Sequence, residues 1–351
     1  MPRSASRAWL VVVLCLMGWL RSTPCALAAE RGCAVRGVGL DSQCIVNGAT
    51  LHFVDWGGHG PDLVLVTGLD DSARIFDELA SLLRPHHRVI GVTRRGFCAS
   101  GASSGGYDAD TLARDVSGFM QAVGIVHADL VGHSMAGLEL TRIAASNPDQ
   151  VRRLVYLDAA TDKSPIINLI QKDPAGNREP PLGALDSFTD LRVWTQELLK
   201  SKSPAIEANL RQCFISKSGH LVARTPPQVD AAVLSTLSTD HPDYSRLRAP
   251  ALAIYSDTRA ADQMPPGAPP ELQAATNAFS RQVMEPWHSL EKARFQIEIP
   301  CGTVVQVVGA RHYFFLERPR QTAAWIDAFL RSDHPCTWKP DAAAADISRG
   351  N

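Results

Sequence analysis

An excess of charge of one sign, an internal repeat and a metal-binding cysteine pattern are all missing from this chain of 351 residues. Its 35 basic and 36 acidic residues nearly cancel, and no block of like charge occurs. This balance gives no support for a nucleic-acid partner or for a charged interaction tail. No C-x-x-C pair or Cys/His cluster has zinc spacing, so we expect no metal site and no cofactor. The absence of an evident repeat argues against repeat architectures.

A long hydrophobic run is also absent. The apolar stretch at residues 8–20 ends at Arg21, and it is shorter than the roughly 20 residues that span a bilayer. Arg3 and Arg7 precede it, and Ala26-Leu27-Ala28 follows as a small-x-small cleavage site. Residues 1–28 are therefore predicted to be a signal peptide, with a mature chain that begins near Ala29. The predicted location is secreted or periplasmic, without a stable membrane anchor after cleavage; a single membrane anchor is the alternative.

Six of the eight cysteines lie beyond this segment, at positions 33, 44, 98, 213, 301 and 336. An even number of cysteines after an export signal predicts disulfide bonds in an oxidising compartment. We expect Cys33–Cys44, which are close in sequence, and Cys301–Cys336, which joins the last strand to the segment after the last helix. Cys98 and Cys213 then remain for each other. Free buried thiols are the alternative.

Strand and helix patterns alternate along most of the chain. The predicted strands cover residues 50–56, 63–66, 88–92, 154–157, 251–255 and 304–308, with one more ending just before Ser134. Helical patterns with short loops separate them, which predicts an α/β fold with a mostly parallel sheet covered on both faces.

The alternation lapses in one long segment, and this defines the predicted domains. Residues 29–159 form the first part of the core, residues 160–248 an inserted and mostly helical cap, and residues 249–333 the second part of the core. Residues 334–351 are the C-terminal tail. Within the second part, Pro286 is expected to break or kink a helix over residues 271–293.

The most informative motif is Leu130-Val131-Gly132-His133-Ser134-Met135-Ala136-Gly137. An apolar approach, a glycine, a serine and small residues before an apolar helix are typical of a nucleophile elbow, a sharp strand-to-helix turn that exposes one hydroxyl. Bulky side chains two positions to either side of the serine would clash, so Gly132 and Ala136 are small. Alanine stands at position 136 where the common pattern has glycine. Ser134 is the candidate nucleophile.

A serine needs a base to attack at neutral pH, and His312 is the candidate. It follows the last predicted strand, so the chain order is Ser before a late His. Histidines such as His86 and His241 lie in polar or loop contexts, which favour solvated or structural roles. His133 adjoins the serine, and we assign it to packing or contact rather than to base catalysis.

These motifs resemble those of proteins with the α/β-hydrolase fold, in particular the single-domain esterases and related hydrolases. The resemblance covers residues 50–330 and rests on four stretches: Val54-Asp55-Trp56-Gly57, Arg95-Gly96-Phe97, the motif around Ser134, and Gly309-Ala310-Arg311-His312-Tyr313-Phe314-Phe315. It implies a Ser-His-acid triad and an oxyanion hole. The fold hosts esterases most often, so the ester preference is an analogy.

The acid of the triad has three candidates. In the resembling proteins it usually follows the strand at residues 251–255, where the common spacing falls on Arg259; Asp257 lies before that position and Asp262 after it. The other place in use, as in some haloalkane dehalogenases, directly follows the next strand after the nucleophile helix. Asp158 occupies that place. We favour Asp158, then Asp257, then Asp262; the alternative roles are a cap for Asp158 and a solvated loop residue for Asp257.

The resemblance also implies two backbone N–H donors for an oxyanion, from Met135 and from Leu69. The loop that carries Leu69 departs from the family pattern, because Thr67 replaces the usual histidine. Asp70 and Asp71 follow, either bringing negative charge near the site or starting the next helix. We favour the helix start.

The sequence therefore predicts a secreted serine hydrolase that cleaves a small carboxylic ester through an acyl-enzyme. An aminopeptidase, a lyase or another acyl-transfer enzyme on the same triad is an alternative. A non-catalytic ligand-binding protein with this fold is another. Haloalkane dehalogenation is disfavoured, because it needs a carboxylate nucleophile at the position of Ser134.

Overall fold

A computed structural model describes residues 32–170, 172–174, 182–257 and 268–340. The predicted signal peptide, Arg259, Asp262 and residues 341–351 of the predicted tail lie outside the described residues. Within the described part of the chain, no helix is both long enough and apolar enough to cross a membrane.

A nine-stranded sheet forms the centre of the molecule. The strands in chain order are β1 (Cys33–Ala34), β2 (Asp41–Val46), β3 (Ala49–Gly57), β4 (Asp62–Val66), β5 (Arg88–Val92), β6 (Ala128–His133), β7 (Val151–Leu157), β8 (Phe214–Lys217), β9 (His220–Ala223), β10 (Ala251–Tyr255) and β11 (Gly302–Gln306). Their spatial order in the sheet is β1-β2-β3-β5-β4-β6-β7-β10-β11, and β8 and β9 form a separate hairpin. All neighbours from β5 to β11 are parallel, while β1, β2 and β3 add an antiparallel edge.

Helices cover both faces of this sheet. They are α1 (Asp77–Leu83), α2 (Ala109–Ala122), α3 (Ala136–Ser146), α4 (Ile167–Ile170), α5 (Phe188–Leu199), α6 (Pro204–Cys213), α7 (Pro227–Thr239), α8 (Pro270–Phe279), α9 (Glu285–Glu298), α10 (Phe314–Glu317) and α11 (Pro319–Arg331). Alternate residues of the parallel strands enter two separate cores. Phe119 of α2, Leu140 of α3 and Phe295 of α9 pack on one face. Leu79 of α1 and Phe329 of α11 pack on the other. This confirms the predicted α/β fold with a mostly parallel central sheet.

Several element predictions need correction. The last strand is β11, two residues earlier than predicted, because the chain turns at residues 307–309 toward His312. The helix after residue 270 is interrupted by a π-helical segment at Ser280–Met284, and Pro286 lies within the first turn of α9. The residues before Pro286 are themselves helical, and the N–H of Glu285 donates to the carbonyl oxygen of Ser280. The interruption therefore lies directly before the proline, which has no N–H to donate, in agreement with the expected break.

The segment between β7 and β10, predicted to be mostly helical, holds α4 to α7 and also the β8–β9 hairpin. Ser218 and Gly219 form the hairpin turn, both with positive φ (+53° and +87°). Two successive left-handed residues match the right-handed twist of a tight hairpin. A Ser-Gly pair between short apolar stretches was therefore the signal that could have predicted it.

Three disulfide bonds join the six cysteines in the expected pairs: Cys33–Cys44, Cys98–Cys213 and Cys301–Cys336. Cys33 and Cys44 are register partners of β1 and β2. The bond between Cys98 and Cys213 spans 115 residues and links the loop after β5 to the end of α6. It therefore ties the segment inserted after β7 to the sheet.

Candidate active site

Ser134 lies at the sharp turn between β6 and α3. Its φ is +56°, a left-handed conformation that costs a residue other than glycine about 1–3 kcal/mol. Its N–H donates to the carbonyl oxygen of Leu157 on the neighbouring strand β7 (3.0 Å). The elbow is thus held by the sheet, and Met135, the N-cap residue of α3, follows it directly.

Glycines allow three close approaches around this turn. A Cβ on Gly132 would lie 2.9 Å from Leu140 Cδ1 and 3.1 Å from the Cβ of Ala136, which explains why position 136 is small. A Cβ on Gly137 would lie 1.8 Å from the carbonyl oxygen of Ala159, so α3 packs directly on the backbone that follows β7. On the other side, a Cβ on Gly68 would lie 2.8 Å from Nδ1 of His133. Glycine is therefore most strictly required at position 137, one residue after the small residue expected at position 136.

Asp158 and His312 are hydrogen-bonded to each other. The Nδ1 atom of His312 lies 2.6 Å from Oδ2 of Asp158, which follows β7 with φ +48°. The hydroxyl of Ser256 donates to the same oxygen (2.7 Å), and its backbone N–H donates to Oδ1 (3.0 Å). Ser256 directly follows β10, the parallel neighbour of β7. Sequence reasoning missed Ser256, although the carboxyl ends of adjacent parallel strands necessarily meet at one edge.

These contacts set the charge of Asp158, whose side chain is only 6% exposed. Burial raises the pKa of this carboxyl, but the hydrogen bond and charge of His312 and the N–H of Ser256 outweigh it. The net pKa lies well below the usual range of an aspartate. Asp158 is therefore a carboxylate at neutral pH, with donors at both oxygens.

Asp257 occupies a different position. Its Oδ2 accepts a hydrogen bond from the backbone N–H of Gly309 (2.8 Å), and its own N–H donates to the carbonyl of Ala310 (2.8 Å). These bonds hold the loop that leads to His312. The structure thus brings Asp158 to the imidazole and places Asp257 on the backbone of the same loop.

His133 is completely buried below His312. Its Nε2 lies 3.2 Å from the carbonyl oxygen of His312, which only accepts, so Nε2 carries the proton. The two imidazole rings are 4.5 Å apart, and the rings of Tyr313 and Phe315 lie within 5 Å of His133. Burial and the nearby His312 lower the pKa of His133, so it is neutral. This is the packing and contact role expected from the sequence.

Asp71 does not start the next helix, contrary to the expectation. The 3-10 turn Ala73–Phe76 has Ser72 as its N-terminal flanking residue and no acidic residue in its first turn. The buried Asp71 carboxylate instead accepts from Asn209 Nδ2 of α6 (3.0 Å) and from the Tyr313 hydroxyl (3.1 Å). It therefore connects the loop after β4, the loop of His312 and helix α6.

The two expected oxyanion donors belong to two different loops, after β4 and after β6. Met135 is the N-cap residue of α3, at the end of the helix where free N–H groups favour negative charge. Leu69 precedes Asp70, which has φ +57°, in the loop after β4. Both residues border the same cavity as Ser134. They therefore stay the expected oxyanion donors.

This cavity has a volume of about 350 Å³. Besides Ser134, Asp158 and His312, it is lined by polar side chains of Thr161, Lys163, Ser256 and His288, and by apolar side chains of Leu69, Met135, Ile167, Leu234, Leu237, Met284 and Trp287. The apolar residues come largely from the segment after β7 and from the helices after β10. Among the described residues, no group of three or more His, Cys, Asp or Glu side chains is arranged to hold a metal ion.

Comparisons with known proteins agree with this fold. The model of the alpha/beta hydrolase fold family matches residues 61–224. A 2-(acetamidomethylene)succinate hydrolase of Mesorhizobium japonicum is 33% identical over 101 residues, which are 29% of this chain and 36% of that protein. An N-formylmaleamate deformylase of Pseudomonas putida is 33% identical over 114 residues, 32% of this chain and 42% of that protein.

A crystal structure of E-2-(acetamidomethylene)succinate hydrolase matches with a TM-score of 0.64 at 22% identity, over 84% of this chain and 99% of that one. The sequence matches span less than half the length of the two curated relatives. The structural match spans nearly all of its counterpart. Together these findings show that the chain has the α/β-hydrolase fold.

Proposed function

We propose that this protein is a serine hydrolase that cleaves a small carboxylic acid derivative through an acyl-enzyme. The observation that carries the proposal is the hydrogen bond of 2.6 Å between His312 and Asp158, which line the same cavity as Ser134. Ser134 itself lies at a left-handed turn. A nucleophile, a base and an orienting carboxylate thus come from three loops at the carboxyl ends of three strands.

Protonation states follow from the hydrogen bonds. An ionised carboxylate only accepts, so Nδ1 of His312 carries the proton that faces Asp158. In the neutral imidazole this leaves Nε2 unprotonated, as a general base for the Ser134 hydroxyl. When Nε2 takes that proton, the charge of Asp158 stabilises the imidazolium. Ser256 keeps the carboxylate ionised and oriented.

The reaction then proceeds in two halves. Ser134 Oγ attacks the acyl carbon while its proton moves to His312, and the N–H groups of Met135 and Leu69 stabilise the oxyanion. Protonated His312 gives its proton to the leaving group, which produces the acyl-enzyme. Water attacks this ester in the second half, with His312 again as base, and releases the acid and Ser134.

A carboxylic ester is the first substrate class that we propose, because the fold hosts esterases most often. A small amide is the second, since two matched relatives are named as a 2-(acetamidomethylene)succinate hydrolase and an N-formylmaleamate deformylase. Both bonds are cleaved by the same attack on an acyl carbon. Rates on matched ester and amide substrates will rank them.

We also propose that the protein works outside the cytoplasm. Three disulfide bonds support this, because such bonds persist in oxidising compartments. Expression of the full chain followed by N-terminal sequencing of the exported protein tests it. A mature chain that begins near Ala29 is expected, and retention of residues 1–28 on a cytoplasmic protein would refute it.

A fluorophosphonate probe tests the central proposal. The wild-type protein should be labelled at Ser134, and the Ser134→Ala variant should not be labelled. Hydrolysis of short-chain nitrophenyl esters should be lost in the same variant. A wild-type protein that is neither labelled nor active would instead indicate a ligand-binding protein that retains the fold.

A further inference from the structure

Lys163 stands out on the wall of the cavity. Among the described residues that line it, Lys163 is the only lysine or arginine. It faces a space that is also bordered by the candidate catalytic residues, by the polar side chains of Thr161, Ser256 and His288, and by apolar side chains such as Ile167 and Trp287. The proposed reaction assigns Lys163 no role.

The ammonium group of Lys163 has donors to spare. It donates one hydrogen bond to the Thr161 hydroxyl (2.8 Å). An ammonium has three N–H donors and no acceptor. The described residues place that hydroxyl, and no carboxylate, within bonding distance of it. Two donors therefore remain for a ligand.

The nearest carboxylates are already committed to other groups. Asp158 is bound by His312 and Ser256, as described above. Asp162 accepts from the Ser164 hydroxyl (2.6 Å) and pairs with His241 (2.9 Å). Glu291 accepts the backbone N–H of Asp162 (2.8 Å). These charges attract Lys163 from a distance, and none of them neutralises it by direct contact.

The backbone at Lys163 is well anchored, so the side chain starts from a defined point. The indole N–H of Trp287 donates to the carbonyl oxygen of Asp162 (2.9 Å), and the N–H of Ile167 donates to that of Lys163 (2.8 Å). The first of these bonds joins the segment after β7 to α9. A ligand that reaches Lys163 thus meets a cation at a fixed place in the cavity.

The surroundings of Lys163 leave its amine mostly charged at neutral pH, although burial of that charge costs free energy. Burial lowers the pKa of Lys163 to about 8, against the attraction of Asp158, Glu291 and Asp162. The amine is therefore still mostly protonated at neutral pH. His288, on the same wall, is neutral because burial lowers its pKa. A buried charge without a counter-charge is unfavourable, and binding an anion relieves that cost.

We propose that Lys163 binds a carboxylate of the substrate, so that the protein acts on small monoanionic esters or amides. This rests on the proposed function. The scissile carbonyl lies at Ser134 and the carboxylate at Lys163. A short apolar spacer between them contacts the wall formed by Ile167 and Trp287. Because this wall is apolar and Lys163 is charged, the substrate binds in one orientation, with its carboxylate at Lys163.

Two esters of similar length test the proposal. Initial rates of hydrolysis of monomethyl glutarate and methyl hexanoate are measured by acid release. The ratio of their kcat/KM values is expected to favour the anionic ester in the wild-type protein. Lys163→Met should lower this ratio about 10- to 100-fold, as expected for the loss of a charged hydrogen bond. Lys163→Arg should retain most of it.

The control is Lys217→Met, which removes an exposed lysine on β8 and should leave the ratio unchanged. The proposal is overturned if both esters are cleaved in a Ser134-dependent way and Lys163→Met leaves the ratio within about 2-fold of wild type. That result would leave the proposed hydrolase intact. Loss of the ratio in Lys163→Arg as well as Lys163→Met would show that packing, rather than charge, selects the substrate.

A binding measurement decides the case in which neither ester is cleaved. Calorimetric titration of monomethyl glutarate into the Ser134→Ala variant should show binding that weakens at least 10-fold when Lys163→Met is added. Equal affinity in the two variants, or no binding of monomethyl glutarate to Ser134→Ala, would refute the carboxylate site. Failure of hydrolysis alone, with this difference retained, would refute only the proposed function.

Discussion

Asp158 and Asp115 are two buried aspartates with similar hydrogen bonding and different partners. Asp158 accepts from His312 and Ser256 at the edge of the cavity, and Asp115 on α2 accepts from Arg95 Nε (2.6 Å) and Nη2 (2.8 Å). The side chain of His312 is 40% exposed and titratable, whereas that of Arg95 is 7% exposed and permanently charged.

This difference separates a functional carboxylate from a structural one. Asp158 holds a group that must gain and lose a proton in front of Ser134. Asp115 holds a guanidinium that anchors the loop after β5, and Asn47 donates to the same carboxylate (3.1 Å). Both aspartates are therefore buried and paired. Their different roles come from their partners, which are an imidazole for Asp158 and a guanidinium for Asp115.

The largest expected effect concerns the acid of the triad. Asp158→Asn should lower kcat about 10³- to 10⁴-fold, because an amide at this position favours the wrong imidazole tautomer and leaves the imidazolium unpaired. Asp257→Asn is the matched control, and it should lower kcat less than about 10-fold since its carboxylate binds the N–H of Gly309. Steady-state hydrolysis of a nitrophenyl ester measures both. Full activity in Asp158→Asn would make Asp158 structural and reverse the comparison.

Asp115→Asn should act on stability instead. Removing one partner of a buried ion pair leaves the charge of Arg95 uncompensated, so the free energy of unfolding should fall by about 3–5 kcal/mol. Glu207→Gln breaks the exposed pair with Arg211 (2.6 Å) and should cost less than about 1 kcal/mol. Denaturant titration compares the two. Equal losses of unfolding free energy in both variants would show that burial of the Arg95–Asp115 pair does not increase its contribution to stability.

Ser256→Ala sharpens the role of the groups behind Asp158. The variant loses the hydroxyl donor at 2.7 Å and keeps the backbone N–H, so we expect kcat to fall about 10-fold, the equivalent of one hydrogen bond. Ser245 has the same arrangement on the surface, with its hydroxyl (2.6 Å) and N–H (3.1 Å) on Asp243. Ser245→Ala should leave kcat unchanged. An unchanged kcat in Ser256→Ala would indicate that His312 alone orients Asp158.

The smallest expected effect concerns a third carboxyl group, that of Asp70. Its pKa is shifted in the direction opposite to that of Asp158. Burial and the neighbouring carboxylates of Asp230 and Asp71 raise the pKa of Asp70 to about 7. Ionisation of Asp70 is thus disfavoured in the folded state, and stability falls as the pH rises from near 4 to about 7. For Asp158, whose pKa is lowered, stability is instead lost as the pH falls through its folded pKa.

Asp230→Asn removes one of the charges that disfavour ionisation. Its Tm should exceed that of the wild type by a margin that grows up to about pH 7 and then stays constant. Thermal unfolding followed across this pH range measures the margin. Asp149→Asn changes an exposed aspartate elsewhere and serves as control. A margin independent of pH would mean that the Asp70–Asp230 proximity has no electrostatic consequence.

Much of the fold was predictable because its signals are local. Continuous apolar runs predicted β4, β5 and β10 to within a residue. Spacing within the motif also predicted the turn at Ser134. The β8–β9 hairpin had a local signal in Ser218-Gly219 that the sequence analysis did not use, whereas the exact end of β11 depended on tertiary contacts.

The site was predictable in part for a similar reason. Residue type and chain order indicated Ser134 and His312, but three aspartates near strand ends satisfied the local criteria for the acid. Choosing among them requires knowing which strand ends are neighbours and where each side chain points. Ser256, Lys163 and the contacts of Asp71 were missed, since common residue types become informative only through their partners.

By itself, the sequence determined the α/β alternation, the left-handed turn that small residues permit at Ser134, and the even set of cysteines. These depend on backbone sterics, hydrophobic periodicity and counting, which act over short distances. Only the tertiary structure decided that Asp158 lies 2.6 Å from His312, that Asp257 binds the backbone, and that Lys163 is left without a direct counter-charge. Hydrogen bonding and burial act between residues that are distant in sequence, so they exist only once the strands are in their spatial order.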